Sequence, residues 1–285
     1  MDDRLRALWD FDDLDTSQAR LQSQLAEESS DEGRAEVLTQ LARVAGLRGE
    51  FTPGDTTIDE AVALAGDSEV ALARVELERG RLRRSSGDEG GAALPLFESA
   101  FSRALAAGQD FIAADAAHMA ALAAPDRDGF VAWTKRGIEL AEEREAAAYW
   151  LGPLLNNLGW EYYEAAELEP ALDAFEQALH AREREPEHPA AIEIARYAVG
   201  KTLRALGRAP EAIPFLEDAV GSAARRNAPD GWLHEELAEE YAAVGRYDDA
   251  REHARLALPL LEAADPSFTE DAERTHRLTA LAERR

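Results

Sequence analysis

Six small residues recur along the chain at nearly constant spacing: Ala61, Ala100, Gly137, Ala178, Ala219 and Ala257. The intervals are 39, 37, 41, 41 and 38 residues. No other feature constrains the fold so strongly. A period of roughly 20–50 residues marks a supersecondary unit that cannot bury its apolar face alone and must stack on its neighbours. The clearest copy is LGWEYYEAAELEPALDAFEQAL, residues 158–179, with Leu158-Gly159, Tyr162, Ala171, Phe175 and Ala178. Val199-Gly200, Leu203, Gly207, Ala212, Leu216 and Ala219 form the next copy, and Leu237-Ala238, Tyr241, Gly245, Ala250, Ala254 and Ala257 another. Upstream, Gly80, Ala93, Phe97 and Ala100 keep the frame with one extra residue in the GDEGG turn, and Leu41-Ala42, Gly49 and Ala61 precede them. A weaker copy places Phe130, Thr134 and Gly137 in the second-helix positions.

The residues between these positions are those of helices. Ala, Leu, Glu and Arg dominate, all strong helix formers, and Val, Ile and Thr nowhere alternate as strands do. The spacing therefore predicts an all-α chain. Small residues let paired helices approach, large ones fill the gaps, and Gly207 and Gly245 occupy helix C′ positions where φ is often positive. Hydrophobic residues make up 46% of the 285 residues, enough for a buried core.

The order L-G-x2-Y followed by A-x3-F-x2-A resembles the tetratricopeptide repeat. All five intervals exceed that repeat's usual period of about 34 residues, and LLNNLGWEYY with the later PEHPAAIE is similar to the elongated repeats of kinesin light chain. The resemblance implies a right-handed α-solenoid of about six helix pairs over residues 34–265. It leaves residues 1–33 as an N-terminal capping segment with one helix, started by Asp15, Thr16 or Ser17 as N-cap, and residues 266–285 as a C-terminal capping helix closed by Leu278 and Leu281.

Charge and composition narrow the function. Lys and Arg number 31 and Asp and Glu 57, a net charge of −26, which opposes general binding to nucleic acid or anionic membrane. The absence of cysteine removes disulfides and thiolate chemistry. The acidic start MDDRLRALWDFDD lacks the apolar core of a signal peptide, and no apolar run approaches the ~20 residues of a membrane span, so the expected location is cytoplasmic.

No chemistry-bearing motif is complete. Gly200-Lys201-Thr202 ends like a P-loop, but Ala195 stands where its first glycine belongs, and a mid-helix segment has no free N–H groups for phosphate. WLHEELAEEY, residues 232–241, begins like a zinc-protease helix, but Ala238 replaces the second histidine. DFDDLD lacks the glycine and third ligand of a calcium loop, and SSGDEGG, residues 85–91, reads as a loop between helices. No catalytic, cofactor-binding or metal-binding residue is therefore assigned, and the expectation is a non-enzymatic protein without cofactor.

The family resemblance points to a binding groove lined by the first helix of each pair. By register, its positions hold Arg43; Leu77, Arg81 and Arg84; Asp115 and Met119; Asn156, Asn157, Trp160 and Tyr163; Tyr197, Lys201 and Arg204; and Glu235 and Glu239. Amides there can bond a peptide backbone, aromatic rings supply contact area, and Arg81, Arg84, Lys201 and Arg204 place positive charge in an acidic protein. Trp160 and Tyr163 equally suit packing between repeats. The dicarboxylate clamp of chaperone-binding members is incomplete: Asn157 fits, but Ile194 and Ala198 stand where Lys and Arg belong. The expected function is an interaction scaffold that takes a peptide or protein segment, with acidic side chains among its contacts, as a monomer or weak homodimer. On this reading Arg81→Glu with Lys201→Glu abolishes binding and leaves helicity unchanged. The alternative is a small-peptide or metabolite sensor acting through a separate partner, since only about 30 residues precede the repeats, too few for a fused DNA-binding domain.

Overall fold

A computed structural model describes residues 3–87 and 91–284, and the centre of the SSGDEGG loop, residues 88–90, lies outside them. Among the described residues there are α-helices and two short 3-10 helices and no strand, as the all-α expectation requires. The chain forms two compact units, residues 1–154 and 155–285.

In the first unit a 3-10 turn, Arg6–Leu8, leads into α1 (Leu14–Glu27). Three helix pairs follow: α2 (Asp31–Leu47) with α3 (Phe51–Ala65), α4 (Glu69–Ser85) with α5 (Ala93–Ala106), and α6 (Asp110–Leu122) with α7 (Arg127–Glu143). A second 3-10 helix, Glu145–Trp150, leads into α8 (Leu151–Glu164), inside which the division between the units falls. The second unit continues with α9 (Leu168–Glu183), the pair α10 (Pro189–Ala205) and α11 (Ala209–Arg225), the pair α12 (Gly231–Ala243) and α13 (Tyr247–Ala264), and α14 (Ala272–Glu283).

Local sequence sets these boundaries. Ser30, Ser68, Asp126 and Asp230 each accept a hydrogen bond from a backbone N–H of the helix they precede, satisfying donors that no helical carbonyl can reach. α1 begins earlier than the sequence suggests. Asp13 is its cap, bonded to Thr16 N at 3.0 Å. Ser17, expected as a possible cap, is buried and bonds the backbone of Asp10 through both donor and acceptor. Gly207 and Gly245 have φ of 74° and 80°, the left-handed stop predicted for them.

The recurrent small residues bring helices into contact. A Cβ added at Gly80 would lie 2.5 Å from the Phe97 ring, at Gly159 2.5 Å from the Phe175 ring, and at Gly200 2.7 Å from Leu216 Cγ. The large partner sits in each case on the next helix and is fully buried. Gly200 is therefore a helix-packing residue, and its neighbours Lys201 and Thr202 continue the same helix. In the weak copy, Thr134 is fully buried and Gly137 meets Leu154. At the C-terminus Leu278 packs in one cluster with Ala254, Ala257 and Leu261, together with Phe268, whose burial the sequence did not suggest.

Candidate functional site

The first-helix faces of the two units differ in one decisive respect: in the first unit the chain's own N-terminal segment covers the face. Asp3 pairs with Arg74, which also bonds Glu36 at 3.1 Å, and the Arg74 side chain is only 4% exposed. Burial opposes ionisation of Asp3, but Arg74 overcomes it and holds the carboxyl below its usual range. Arg4 bonds Glu28 at 2.6 Å and Glu36 at 3.2 Å. Trp9 donates its indole N–H to Gln40 at 3.0 Å and stacks on Phe11 at 4.9 Å. Arg6 lies 3.6 Å above the Tyr149 ring. The cavity left among these groups is 80 Å³.

The expected groove cations of this unit are committed within it. Arg43 lies over the Trp9 and Phe11 rings, at 5.2 and 5.4 Å, and 3.9 Å from Glu78. Arg81 bonds Glu78 at 2.5 Å and also bonds Asp115. Arg84 donates to the Leu122 carbonyl at 3.2 Å. Arg43 and Arg81 therefore come together around Glu78, whose side chain is 1% exposed, rather than facing a ligand. Neighbouring His118 is held neutral at pH 7: burial, with Arg81, Arg84 and Arg43 nearby, lowers it to about 4 against the opposing pull of Asp115.

In the second unit the corresponding face is open. α8, α10 and α12 line one cavity, and α10, α12 and α14 line an adjoining one that shares Tyr197 and Trp232 with it. The first, of 440 Å³, is apolar at its centre, with Trp160, Ile194, Trp232 and Leu233, and is bordered by the Glu193–Arg226 pair. Ile194 is 57% exposed, which is unusual for an aliphatic side chain beside three aromatic ones. Trp160 is fixed edge-on against Phe175 at 5.0 Å and Tyr163 at 5.5 Å, so it both packs and lines the cavity. Asn156 and Asn157 lie half-buried on α8 away from both cavities, and the Asn156 carbonyl oxygen is buried without a hydrogen bond.

The second cavity, of 320 Å³, is lined by charge. Glu236 receives Arg204 through both oxygens, Glu235 receives Arg274 at 2.5 and 2.7 Å, and Glu239 receives Arg277. Lys201 stands apart from these close pairs. It donates to the Tyr197 hydroxyl at 3.2 Å and lies 3.6 Å from Glu236, whose oxygens Arg204 already occupies. Burial, then Glu236 and Glu235, raise Tyr197 above its ordinary value, so its hydroxyl keeps its proton.

Glu240, one turn after Glu236 on α12, is fully buried, with neither oxygen hydrogen-bonded. Burial, with Glu236 and Glu239 nearby, pushes it up to about 8, and Arg204 opposes only partly. The folded protein thus holds a proton that the unfolded chain releases above the ordinary value of 4.5. Stability must fall as pH rises between these two values and level off above the higher one. Glu240→Gln is expected to remove on the order of 2–3 kcal/mol of that fall. Urea unfolding at pH 5 and pH 9 checks this; equal slopes in both proteins would disprove it.

Six predicted groove residues, Trp160, Tyr197, Lys201, Arg204, Glu235 and Glu239, meet on this face. The sequence reading missed Trp232, Glu236, Arg274 and Arg277. Trp232 and Glu236 fall on the stripe of α12 that Glu235 and Glu239 already marked. Arg274 and Arg277, three residues apart in the C-terminal helix, are the ion-pair partners of Glu235 and Glu239. No group of three or more potential ligands among the described residues is placed to hold a metal ion, and no helix is long and apolar enough to cross a membrane.

Residues 154–189, which begin in α8 and end at the start of α10, match the family model described as tetratricopeptide repeat. The chain carries the tetratricopeptide repeat. Solved structures share the arrangement of its repeats. Apo RapI superposes with a TM-score of 0.71 at 14% identity, over 94% of this chain and 75% of that one. BtubC (BKLC) from P. vanneervenii gives 0.63 at 18% identity, over 75% and 92%. The apo form of the quorum sensor NprR from B. thuringiensis gives 0.57 at 12% identity, over 95% and 83%. At these identities the likeness is one of fold. No curated protein matches the sequence significantly.

Proposed function

We propose that the second unit binds a protein or peptide segment across α8, α10 and α12, as a non-enzymatic interaction module acting in the cytoplasm, with residues 1–33 and 266–285 as end caps of the repeats. One observation carries this reading: two adjoining cavities of 440 and 320 Å³, one apolar and one charged, with exposed Ile194 between aromatic walls. Side-by-side apolar and polar recesses suit a chain segment, and Trp, Tyr and Arg are the common anchors of such contacts. The covered face of the first unit leaves this as the accessible one.

Panning a displayed library of random 12-residue peptides tests the reading. Selected peptides are expected to bind wild type and to lose at least twenty-fold in affinity for Ile194→Asp. Thermal unfolding is expected to stay unchanged, because that side chain is exposed. Peptides that bind both proteins equally would disprove the assignment.

A second reading is a sensor of a small peptide or metabolite acting through a separate partner. The larger cavity falls within the ~300–1,000 Å³ typical of small-ligand sites, and NprR, which shares the fold, is described as a quorum sensor. A thermal shift caused by a small ligand without any protein partner favours this second reading.

A further inference from the structure

We propose that the second unit selects an extended peptide carrying an acidic side chain about three residues from a bulky apolar one, with the carboxylate on Lys201 and Tyr197 and the apolar group between Trp160 and Trp232. This inference rests on the peptide-binding reading above and adds the chemistry of the ligand.

Charge complementarity carries it. The charged cavity is lined by four cations, Lys201, Arg204, Arg274 and Arg277, against three carboxylates, Glu235, Glu236 and Glu239. Each arginine closes on a carboxylate: Arg204 on Glu236, Arg277 on Glu239, and Arg274 on Glu235 and also, at 2.7 Å, on Asp265 outside the cavity. Lys201 is the cation of the cavity lining without a close carboxylate of its own. Its ammonium has one neutral hydrogen-bond partner, the Tyr197 hydroxyl, and a more distant contact to a carboxylate already held by Arg204. Glu240 is no partner for it: its carboxyl is fully buried, and burial, with Glu236 and Glu239 nearby, pushes it up to about 8. The Lys201 ammonium is therefore open to a further carboxylate, in a protein of net charge −26. The Lys201 side chain is 27% exposed, and it stands beside a phenol able to donate a second hydrogen bond. A carboxylate accepting from both groups would give Lys201 a close anionic partner. Phosphate would bring a second negative charge against Glu235, Glu236 and Glu239.

Spacing fixes the rest of the motif. Ile194 and Lys201 lie seven residues apart on α10, about 10 Å at 1.5 Å per residue. An extended peptide rises ~3.3 Å per residue, so about three residues join the two sites. Tyr197 and Trp232 border both cavities, so the path between them is continuous. A continuous path also favours an internal acidic side chain over a chain terminus, which would end in one recess and leave the other empty.

The experiment uses peptides from the displayed library, remade synthetically and measured by fluorescence polarisation against the full chain. Selected sequences are expected to share an acidic residue two to four positions from an aromatic or aliphatic one. Changing that Asp to Asn, or Glu to Gln, is expected to weaken binding about ten-fold to wild type and less than two-fold to Lys201→Met. Tyr197→Phe is expected to give about a three-fold loss that the amide change likewise removes. Lys201→Met keeps the fold, because Arg204 still holds Glu236 through both oxygens, and circular dichroism checks this. If the acidic residue is dispensable while binding still depends on Ile194, the carboxylate inference falls and the peptide site stands. If amidating the peptide's C-terminus abolishes binding and the side-chain change does not, the terminus is the ligand and the motif proposed here is wrong. If no selected peptide depends on Ile194, the site reading falls, and this inference with it.

Discussion

Replacing Arg81 with alanine is expected to destabilise the first unit by about 3–5 kcal/mol, the cost of breaking a buried ion pair from one side. Arg81 is the shared partner of Glu78 and Asp115, which are 1% and 6% exposed in their side chains. Burial works against its charge, and the two carboxylates more than offset this, raising its affinity for the proton. Without the guanidinium, two carboxylates stay buried at close range, with Arg43 3.9 Å from one of them as the nearest remaining cation. Since domains have only about 5–15 kcal/mol of stability, this loss should appear as an early unfolding step in urea. Trp150, packed against Phe111 in this unit, would report it by fluorescence. Adding Glu78→Gln and Asp115→Asn to the variant should recover much of the loss, because neutral amides need no counter-charge. A change below 1 kcal/mol in the single variant would show that Arg81 is a surface cation after all. The structure also revises the Arg81→Glu, Lys201→Glu experiment that the sequence alone suggests. Arg81→Glu would place three carboxylates in one buried cluster, so lost binding would be accompanied by lost folding. Lys201 alone tests binding.

Gly159→Ala is expected to destabilise the second unit by about 2 kcal/mol, although alanine is the better helix former by about 1 kcal/mol. The two effects oppose each other, and distance decides between them. The new methyl would sit 2.5 Å from the Phe175 ring, which is fully buried and also held by Trp160 at 5.0 Å. The ring cannot swing away, so α8 and α9 must separate. Overpacking of this kind typically costs about 1–3 kcal/mol. Phe175→Leu in the same chain should restore part of the loss by giving the methyl room, where the two changes taken separately would only add. Calorimetry reads both outcomes; a raised Tm for Gly159→Ala alone would mean that the helices are not in contact at this point.

The packing of helices was legible in the sequence because it depends on residue size at fixed intervals. Gly159 with Phe175, Gly200 with Leu216 and the glycine stops at 207 and 245 all follow from spacing, and the structure places them accordingly. The face of α10 was legible for the same reason: Tyr197, Lys201 and Arg204 recur at helical intervals. What a cation faces was not legible. Arg81 and Lys201 hold equivalent positions in their repeats, yet one is buried between two carboxylates and the other faces a cavity. The difference comes from Asp115 on the following first helix and from residues 3–11, a stretch of turns and aromatic residues with no repeat register of its own.

The ion pairs that were hardest to foresee share a regularity. Arg43 with Glu78, Arg81 with Asp115, Arg74 with Glu36, Arg204 with Glu236, Arg274 with Glu235 and Arg277 with Glu239 each join the first helix of one pair to the next first helix or to α14. Within each unit, neighbouring helices thus carry matched and distinct charges, all but Arg277 buried or half-buried. Repeats with uniform contact surfaces can be duplicated, deleted or reordered like beads. Here a duplicated pair would set its cations against positions holding other residues and strand its carboxylates. Such a chain can drift by substitution, but it has largely lost the freedom to evolve by copying its own units.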